Sequence, residues 1–312
     1  MKITALIVTH NRLDKLMLTV DKTLSQGFTD VLIVNSGSND GTELFLDALS
    51  DERITVLHTD NIGGAGGCAL GAEYISHNIN CDWVVFYDDD AYPDLQLVNN
   101  IKQQNLTDVD SFACHVSSRD QVMPQMNVAV KKYPTTLARL LRYIKNRKAF
   151  VTQEGDLVLP NQPIEASSFV GFGVRHSVLK QTYQYIHSML FIYYDDLFYT
   201  LKLSQLGCRH QFIPSLTFVH DVEKTEKVVP WKLYYHTKNL FIMRPLCSFP
   251  AFIGLALMKV TSVALVALRS QYPWQNFKLI LLGFFDGVMS KHDRFGLVDP
   301  VKKIIKRHVN KR

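Results

Sequence analysis

The sequence predicts an α/β fold, with a mostly parallel central sheet flanked by helices and a C-terminal helical extension. Three observations carry that expectation. Strand-like and helix-like patterns alternate through the first third of the 312 residues. The strands are continuously apolar, the pattern of a sheet covered on both faces. Each strand ends in small polar or acidic residues, and such sheets bind ligands beyond their strands' carboxyl ends.

The elements follow in order. Ile3–Val8 is an apolar run that predicts a first strand, and Leu13–Leu24 has helical character. Asp30–Val34 predicts the second strand, and Asn39-Asp40-Gly41 turns into a helix over Thr42–Ala48. Ile54–His58 predicts a third strand. The small-residue run Asn61-Ile62-Gly63-Gly64-Ala65-Gly66-Gly67 leads into a helix over Cys68–His77. Trp83–Tyr87 is a fourth strand, wholly apolar or aromatic. Further on, Ile164–Val174 reads as a strand and turn, Leu190–Leu206 as a helix and Thr217–His220 as a short strand. From Pro245 the composition changes. Ala251–Leu268 and Phe277–Met289 are apolar segments, the first marginal for crossing a bilayer, which takes ~20 residues.

Composition narrows the classes. Hydrophobic residues at 47% and charged residues at 20% exclude a disordered chain or a disulfide scaffold. Cys68, Cys81, Cys114, Cys208 and Cys247 are widely spaced and form no CxxC pair, which points to reduced thiols and no zinc site. The net charge of +5 is concentrated: Lys291–Arg312 carries +6 and everything before it −1. That distribution gives no reason to expect a nucleic-acid partner. A basic tail after apolar helices fits attachment to an anionic membrane surface, with a core or homo-oligomer contact as the alternative. Lys131–Lys148 is a second basic stretch, helical in spacing, facing solvent, a membrane or a substrate.

The chemistry gathers at the strand ends. Asp88-Asp89-Asp90 puts three carboxylates after an apolar strand, and they repel unless a cation sits among them. Hard divalent cations take oxygen ligands and complete their shell with substrate phosphates. Alone, the triplet is equally an acidic turn near Pro93. Asn35-Ser36-Gly37-Ser38 allows close approach of a nucleotide, and Asp40 also suits a helix cap. The glycine run lacks the spacing of a dinucleotide fingerprint or a phosphate-binding loop, yet leaves backbone open to a sugar or phosphate. Asp195-Asp196 is an acid pair in an aromatic stretch, and His220 ends a predicted strand.

Together, Val8-Thr9-His10-Asn11-Arg12, Ile33–Thr42, Asn61–Gly67 and Asp88-Asp89-Asp90 resemble the inverting, GT-A-fold family 2 glycosyltransferases, in particular their rhamnosyl- and galactofuranosyltransferase-like branch. The resemblance covers about Met1–Asn239. It implies that Thr9, Asn11, Arg12, Asn35, Ser36, Asp40, Asn61, Gly63 and Gly64 line the donor site, with Asp89 near the ribose. It implies that Asp88, Asp90 and His220 hold Mn²⁺ or Mg²⁺. By the same pattern Asp196 is the base that deprotonates the acceptor, and Asp195 orients it or binds the acceptor; Glu165, just before Ala166-Ser167-Ser168, is a candidate acceptor or sugar contact by its position alone. The sequence departs from the commoner family pattern at Asn35-Ser36, where acidic residues are usual.

The expectation is a metal-dependent enzyme moving galactofuranose, galactose or rhamnose from a nucleotide-diphosphate donor to a glycolipid or polysaccharide acceptor. Residues 1–244 form the catalytic domain, with a nucleotide-binding half over 1–107 and an acceptor half over 108–244. Residues 245–312 associate with the inner face of the cell membrane, which makes the protein cytoplasmic and peripheral. Two other classes compete. A sugar-phosphate nucleotidyltransferase needs a basic glycine-rich first loop, which Thr9-His10-Asn11-Arg12 is not. A non-catalytic carbohydrate-binding protein has no need of intact Asp88–Asp90, Asp196 and His220.

Overall fold

A computed structural model describes residues 1–120, 127–221 and 229–289. The basic tail Lys291–Arg312 lies outside them. The first apolar run forms β1 (Ile3–Thr9), followed by α1 (Leu13–Leu24), β2 (Asp30–Ser36), α2 (Thr42–Asp47), β3 (Ile54–Thr59), α3 (Gly63–Asn78) and β4 (Trp83–Asp88). β3, β2, β1 and β4 are neighbours in that order and all parallel. Register aligns their polar ends: Thr9 pairs with Asn35, Asn35 with His58, and Val8 with Asp88.

Helix α3 begins at Gly63, so the glycine run lies inside the helix rather than before it. Glycine is a poor helix former, but packing overrides propensity here. A Cβ on Gly67 would strike Val8, and one on Gly71 would strike Leu6 and meet Val34. The helix thus lies close on the sheet. Gly64 faces open space.

The second half of the sheet is mixed. β5 (Ala91–Pro93), α4 (Leu97–Gln103) and β6 (Ser111–Ser117) follow β4. After α5 (Leu137–Lys145) come β7 (Gln162–Pro163), β8 (Phe172–Arg175), α6 (His176–Thr182), α7 (Asp195–Gln205) and β9 (His210–His220). The sheet order is β3-β2-β1-β4-β8-β6-β9-β5, with β7 also on β9. β8 runs antiparallel to both β4 and β6, β9 runs parallel to β6, and β5 and β7 run antiparallel to β9. One core side holds Ile3, Ile7, Leu16, Trp83 and Phe112, and the other Leu6, Leu32, Ala72, Phe86 and Phe172, all buried. Each large apolar side chain buried this way contributes about 1.5–3 kcal/mol.

Two expected elements differ in extent. Of the strand and turn expected over Ile164–Val174, the turn falls at Gly171, at a left-handed φ of 69°, and the strand is β8, which starts at Phe172 and runs on to Arg175. A Cβ on Gly171 would crowd Phe218 and Cys114. The helix expected from Leu190 starts at Asp195, because Phe191, Tyr193 and Tyr194 take positive φ of 65°, 68° and 69°.

The chain divides into two compact units. The sheet, with residues 1–133, 146–188 and 196–222, is one. The other comprises 134–145, 189–195 and 223–312, and includes α5, α8 (Pro230–Asn239), α9 (Phe249–Leu268) and α10 (Pro273–Val288). Within it Gly283 and Gly287 let α10 approach the backbone of α8 at Tyr234 and Lys238. The Tyr234 hydroxyl donates to Asp286 at 2.9 Å, and the buried Lys238 ammonium lies 5.1 Å from the Tyr235 ring. Asn239, wholly buried, donates from Nδ2 to the carbonyls of Leu190 (2.8 Å) and Ile192 (2.7 Å), pinning the left-handed run. Among the described residues, one helix, α9, is long and apolar enough to cross a membrane by length and composition, and about a third of it is buried.

Candidate active site

The polar strand ends converge on the acidic triplet. Arg12, at the head of α1, places its guanidinium against Asp90 and 3.5 Å from Asp89. Asp89 is buried. It accepts from the Thr9 hydroxyl at 2.8 Å and from the His10 N–H at 3.2 Å, so it ties the loop after β1 to the end of β4. Burial pushes Asp89 up to about 6 despite Arg12. Burial, with the charge of Asp90 next, pushes Asp88 up to about 7. Burial opposes ionisation of Asp90 too, but His220 and Arg12 outweigh it and hold Asp90 below the usual carboxylate range.

His220 reaches the triplet through strand register. β5 pairs with β9 so that Ala91 faces His220, and the Asp221 N–H donates to the Asp90 carbonyl at 2.7 Å. His220 Nε2 then lies 3.2 Å from Asp90 Oδ1. Its other nitrogen, Nδ1, lies 2.7 Å from Asn127 Oδ1, while Asn127 Nδ2 donates to Ser168 Oγ at 3.1 Å. With its amide nitrogen engaged, Asn127 presents an oxygen that only accepts, so His220 Nδ1 donates. Nε2 is then the ring nitrogen turned to Asp90, as in a metal-ligating histidine whose other nitrogen has a supporting acceptor. Asn127 belongs to no sequence-predicted element and was not foreseen.

The residues fit a divalent cation in part. Among the described residues no three His, Cys, Asp or Glu side chains form a closed metal cage. A carboxylate–imidazole pair with Asp88 beside it is an open donor set, suited to a hard ion that shares its shell with phosphate oxygens. Two further cations border it. Lys15 and Arg119 both pair with Asp221, the Arg119 contact at 2.7 Å.

The loops after β1 and β2 interlock. His10 Nδ1 donates to the Ser36 carbonyl at 2.7 Å, and His10 Nε2 accepts from Asn61 Nδ2 at 3.1 Å. Asn11, at φ 52°, accepts from the Asn39 N–H at 2.7 Å. Asn35 and Ser36 are buried. The Asn35 side chain bonds Ser38 N and His58, and Ser36 Oγ accepts from Ile62 N. Asp40 caps two helices at once, accepting from Leu13 N and from Thr42. Gly63 takes a φ of 73° at the start of α3, its N–H donating to Asn61 Oδ1 at 3.1 Å. Thr9, Asn35 and Ser36 therefore form a buried floor with side chains already engaged, and Asp40 braces the loops from the surface. Asn11, Arg12, Asn61 and Gly64 stand at its open edge.

Asp196 lies half-buried in the first turn of α7. Burial pushes its carboxyl up to about 6, against hydrogen bonds from the N–H groups of Leu197 and Phe169. The Thr200 hydroxyl, one turn on, donates toward the Asp196 and Ser167 carbonyls and accepts from Ser167 N. Phe169 stacks on Phe86 of β4, ring centroids 5.1 Å apart. Ser167, Ser168 and Phe169 thus join Asp196 to Asn127, to His220 and to the strand that carries the triplet. Asp195 opens α7 beside Asp196. Glu165 accepts from Tyr133 N at 2.7 Å.

The fold and this crevice define a class. TarS 1-349 from S. aureus superposes with a TM-score of 0.50 at 15% identity, over 93% of this chain and 72% of that one. The mannosyltransferase PcManGT from Pyrobaculum calidifontis, solved with GDP-Man and Mn²⁺, superposes with TM-score 0.50 at 15% identity, over 93% and 88%. GalNAc-T7, solved with UDP, GalNAc and Mn²⁺, gives TM-score 0.54 at 15% identity, over 84% of this chain and 57% of that one. The architecture is the GT-A fold. No curated protein sequence matches the chain. Residues 4–158 match the family described as Glycosyl transferase family 2. The chain belongs to that family and is a glycosyltransferase.

Proposed function

We propose that the protein transfers a sugar, with inversion, from a nucleotide-diphosphate donor to a hydroxyl of a lipid-linked or growing cell-surface polysaccharide. The observation that carries this reading is the Ser167–Phe169 segment, which fastens an acid at α7 to the same framework as the acid–imidazole pair at Asp90 and His220. A donor-side group and an acceptor-side base in fixed register are what direct displacement at an anomeric carbon needs.

Asp196 takes the proton of the acceptor hydroxyl as its oxygen bonds to the anomeric carbon and the bond to the diphosphate breaks. Asp195 orients the acceptor. Asn11, Arg12, Asn61 and Gly64 face the donor, supported by Thr9, Asn35, Ser36, Asp40, Gly63 and Asp89. Asp88, Asp90 and His220 would hold Mn²⁺ or Mg²⁺, which when bound neutralises charge growing on the leaving diphosphate. Arg12, Lys15 and Arg119 add fixed positive charge beside that position. The Asn61–Gly67 run favours galactofuranose, galactose or rhamnose as the donor sugar.

The functional division in this reading is a catalytic 1–244 and a membrane-associating 245–312, on the cytoplasmic face of the cell membrane. Phe249, Leu257, Trp274 and Phe285 are exposed on α9 and α10, which supports that attachment. The test is a thermal-shift screen of UDP-galactofuranose, UDP-galactose and dTDP-rhamnose with Mn²⁺, followed by transfer assays on the stabilising donor. Stabilisation by one donor and loss of transfer in Asp196→Asn are expected. Full transfer in that variant would overturn the assignment of the base.

A further inference from the structure

Helix α5 is amphipathic in a way that core packing does not account for. Leu137, Leu140, Leu141 and Ile144 fall within a sector roughly 100° wide at helical spacing. Only Leu140 is buried, seated where Gly254 of α9 leaves room, since a Cβ on Gly254 would strike it. Leu137, Leu141 and Ile144 are 47%, 54% and 52% exposed. The Ser248 N–H donates to the Thr135 carbonyl at 2.7 Å, which fixes the start of α9 to the entry of α5. On α9, Phe249, Ile253 and Leu257 repeat at intervals of four and are also exposed, Ile253 immediately before Gly254.

The charge around these residues has one sign. Lys145 and then Arg142 follow the exposed leucines around α5, and Arg139 lies beyond them. Residues 134–145 hold no acid, and 229–289 hold one, Asp286, which is buried and bonded to Tyr234. A protein partner of matching chemistry would need a large apolar face ringed only by acids. An anionic bilayer offers both properties over any area.

We propose that α5 and α9 form one composite surface that inserts into anionic lipid, with Leu137, Leu141 and Ile144 entering the headgroup–acyl boundary and Arg142 and Lys145 meeting phosphates. The proposal deepens the membrane placement above and rests on it. It moves part of the attachment from the C-terminal helices to a helix that lies between β6 and β8 in the chain.

The test is co-sedimentation of the full chain with phosphatidylcholine vesicles, with and without phosphatidylglycerol. Leu137→Gln/Leu141→Gln/Ile144→Gln and Arg142→Gln/Lys145→Gln should each weaken binding to the anionic vesicles by at least about tenfold. Melting temperature and donor hydrolysis should match wild type, since all five side chains are exposed. Phe249→Gln/Leu257→Gln should weaken binding as well. If the α9 variant loses binding and both α5 variants keep it, the C-terminal attachment stands and this proposal fails. If wild type binds neither vesicle, both fail. Concentration-dependent growth in mass without vesicle binding would make the surface a contact between copies and overturn the proposal.

Discussion

Asn127 Oδ1 lies 2.7 Å from His220 Nδ1, and that contact decides which ring nitrogen faces Asp90. Removing it frees the ring to rotate and change tautomer. Asn127→Ala should lower the affinity for Mn²⁺ in the presence of nucleoside diphosphate by about 10–100-fold, the usual effect of losing a supporting partner. Asn127→Asp, which keeps an acceptor, should retain most of it. Calorimetric or EPR titration of Mn²⁺ reads this without any turnover. Equal affinity in all three proteins would remove His220 from the ion's shell.

Asp196→Asn should reduce transfer by about 10²–10⁴-fold while donor binding persists. With its carboxyl raised to about 6 by burial, the wild-type rate should climb through that pH as the base ionises and level off above it. A pH profile of kcat/KM, flat from 5 to 7 on the ~1-unit scale that separates titrations, would place the base elsewhere.

The same shift has a stability consequence of definite sign. A carboxyl raised in the folded state prefers its proton there, so folding loses stability as pH rises from the ordinary value near ~4 to the folded value. Buried His210 and His236 run the other way, held neutral by burial at about 3 and about 4. The clean readout is therefore a difference. The melting temperature of Asp196→Asn relative to wild type should rise between pH ~4 and about 6 and level off above that. A constant difference would mean that Asp196 is not desolvated.

Three residues of left-handed backbone, Phe191, Tyr193 and Tyr194, precede the acid pair, and Asn239 holds the segment through the carbonyls of Leu190 and Ile192. A non-glycine residue in the left-handed region costs about 1–3 kcal/mol unless its surroundings impose it. Asn239→Ala should speed limited proteolysis within residues 189–195 and lower transfer more than donor binding. Unchanged cleavage would show that the aromatic packing of Phe191 on Tyr235, centroids 5.2 Å apart, suffices.

Gly67→Ala should destabilise by about 1–3 kcal/mol through overpacking on Val8. Gly64→Ala should leave the fold intact or firmer, because its Cβ meets nothing and alanine is the better helix former. Urea denaturation of the two variants separates the packing glycine from the open one.

Much of the N-terminal half was legible because continuous apolar runs permit few placements other than a covered parallel sheet. The position of His220 was legible only as a strand end; its approach to Asp90 depends on the β5–β9 register, which a three-residue strand does not announce. Asn127, His10, Lys15 and Arg119 were missed because each acts through a partner distant in sequence. The glycine run misled about where α3 starts, since propensity weighs against glycine while contact with Val8 and Leu6 demands it. Likewise the acid pair looked mid-helix, and the left-handed residues before it show no periodic signal.

The double hydrogen bond between Ser167 and Thr200 leaves the acid of α7 indexed to the strand bearing Asp88, whatever decorates the outer surface of the later half. With Asp196 as the proposed base, acceptor preference can change through substitutions on that surface while the displacement geometry stays fixed. Relatives that share Ser167, Thr200 and Asn127 should differ in what they glycosylate sooner than in how.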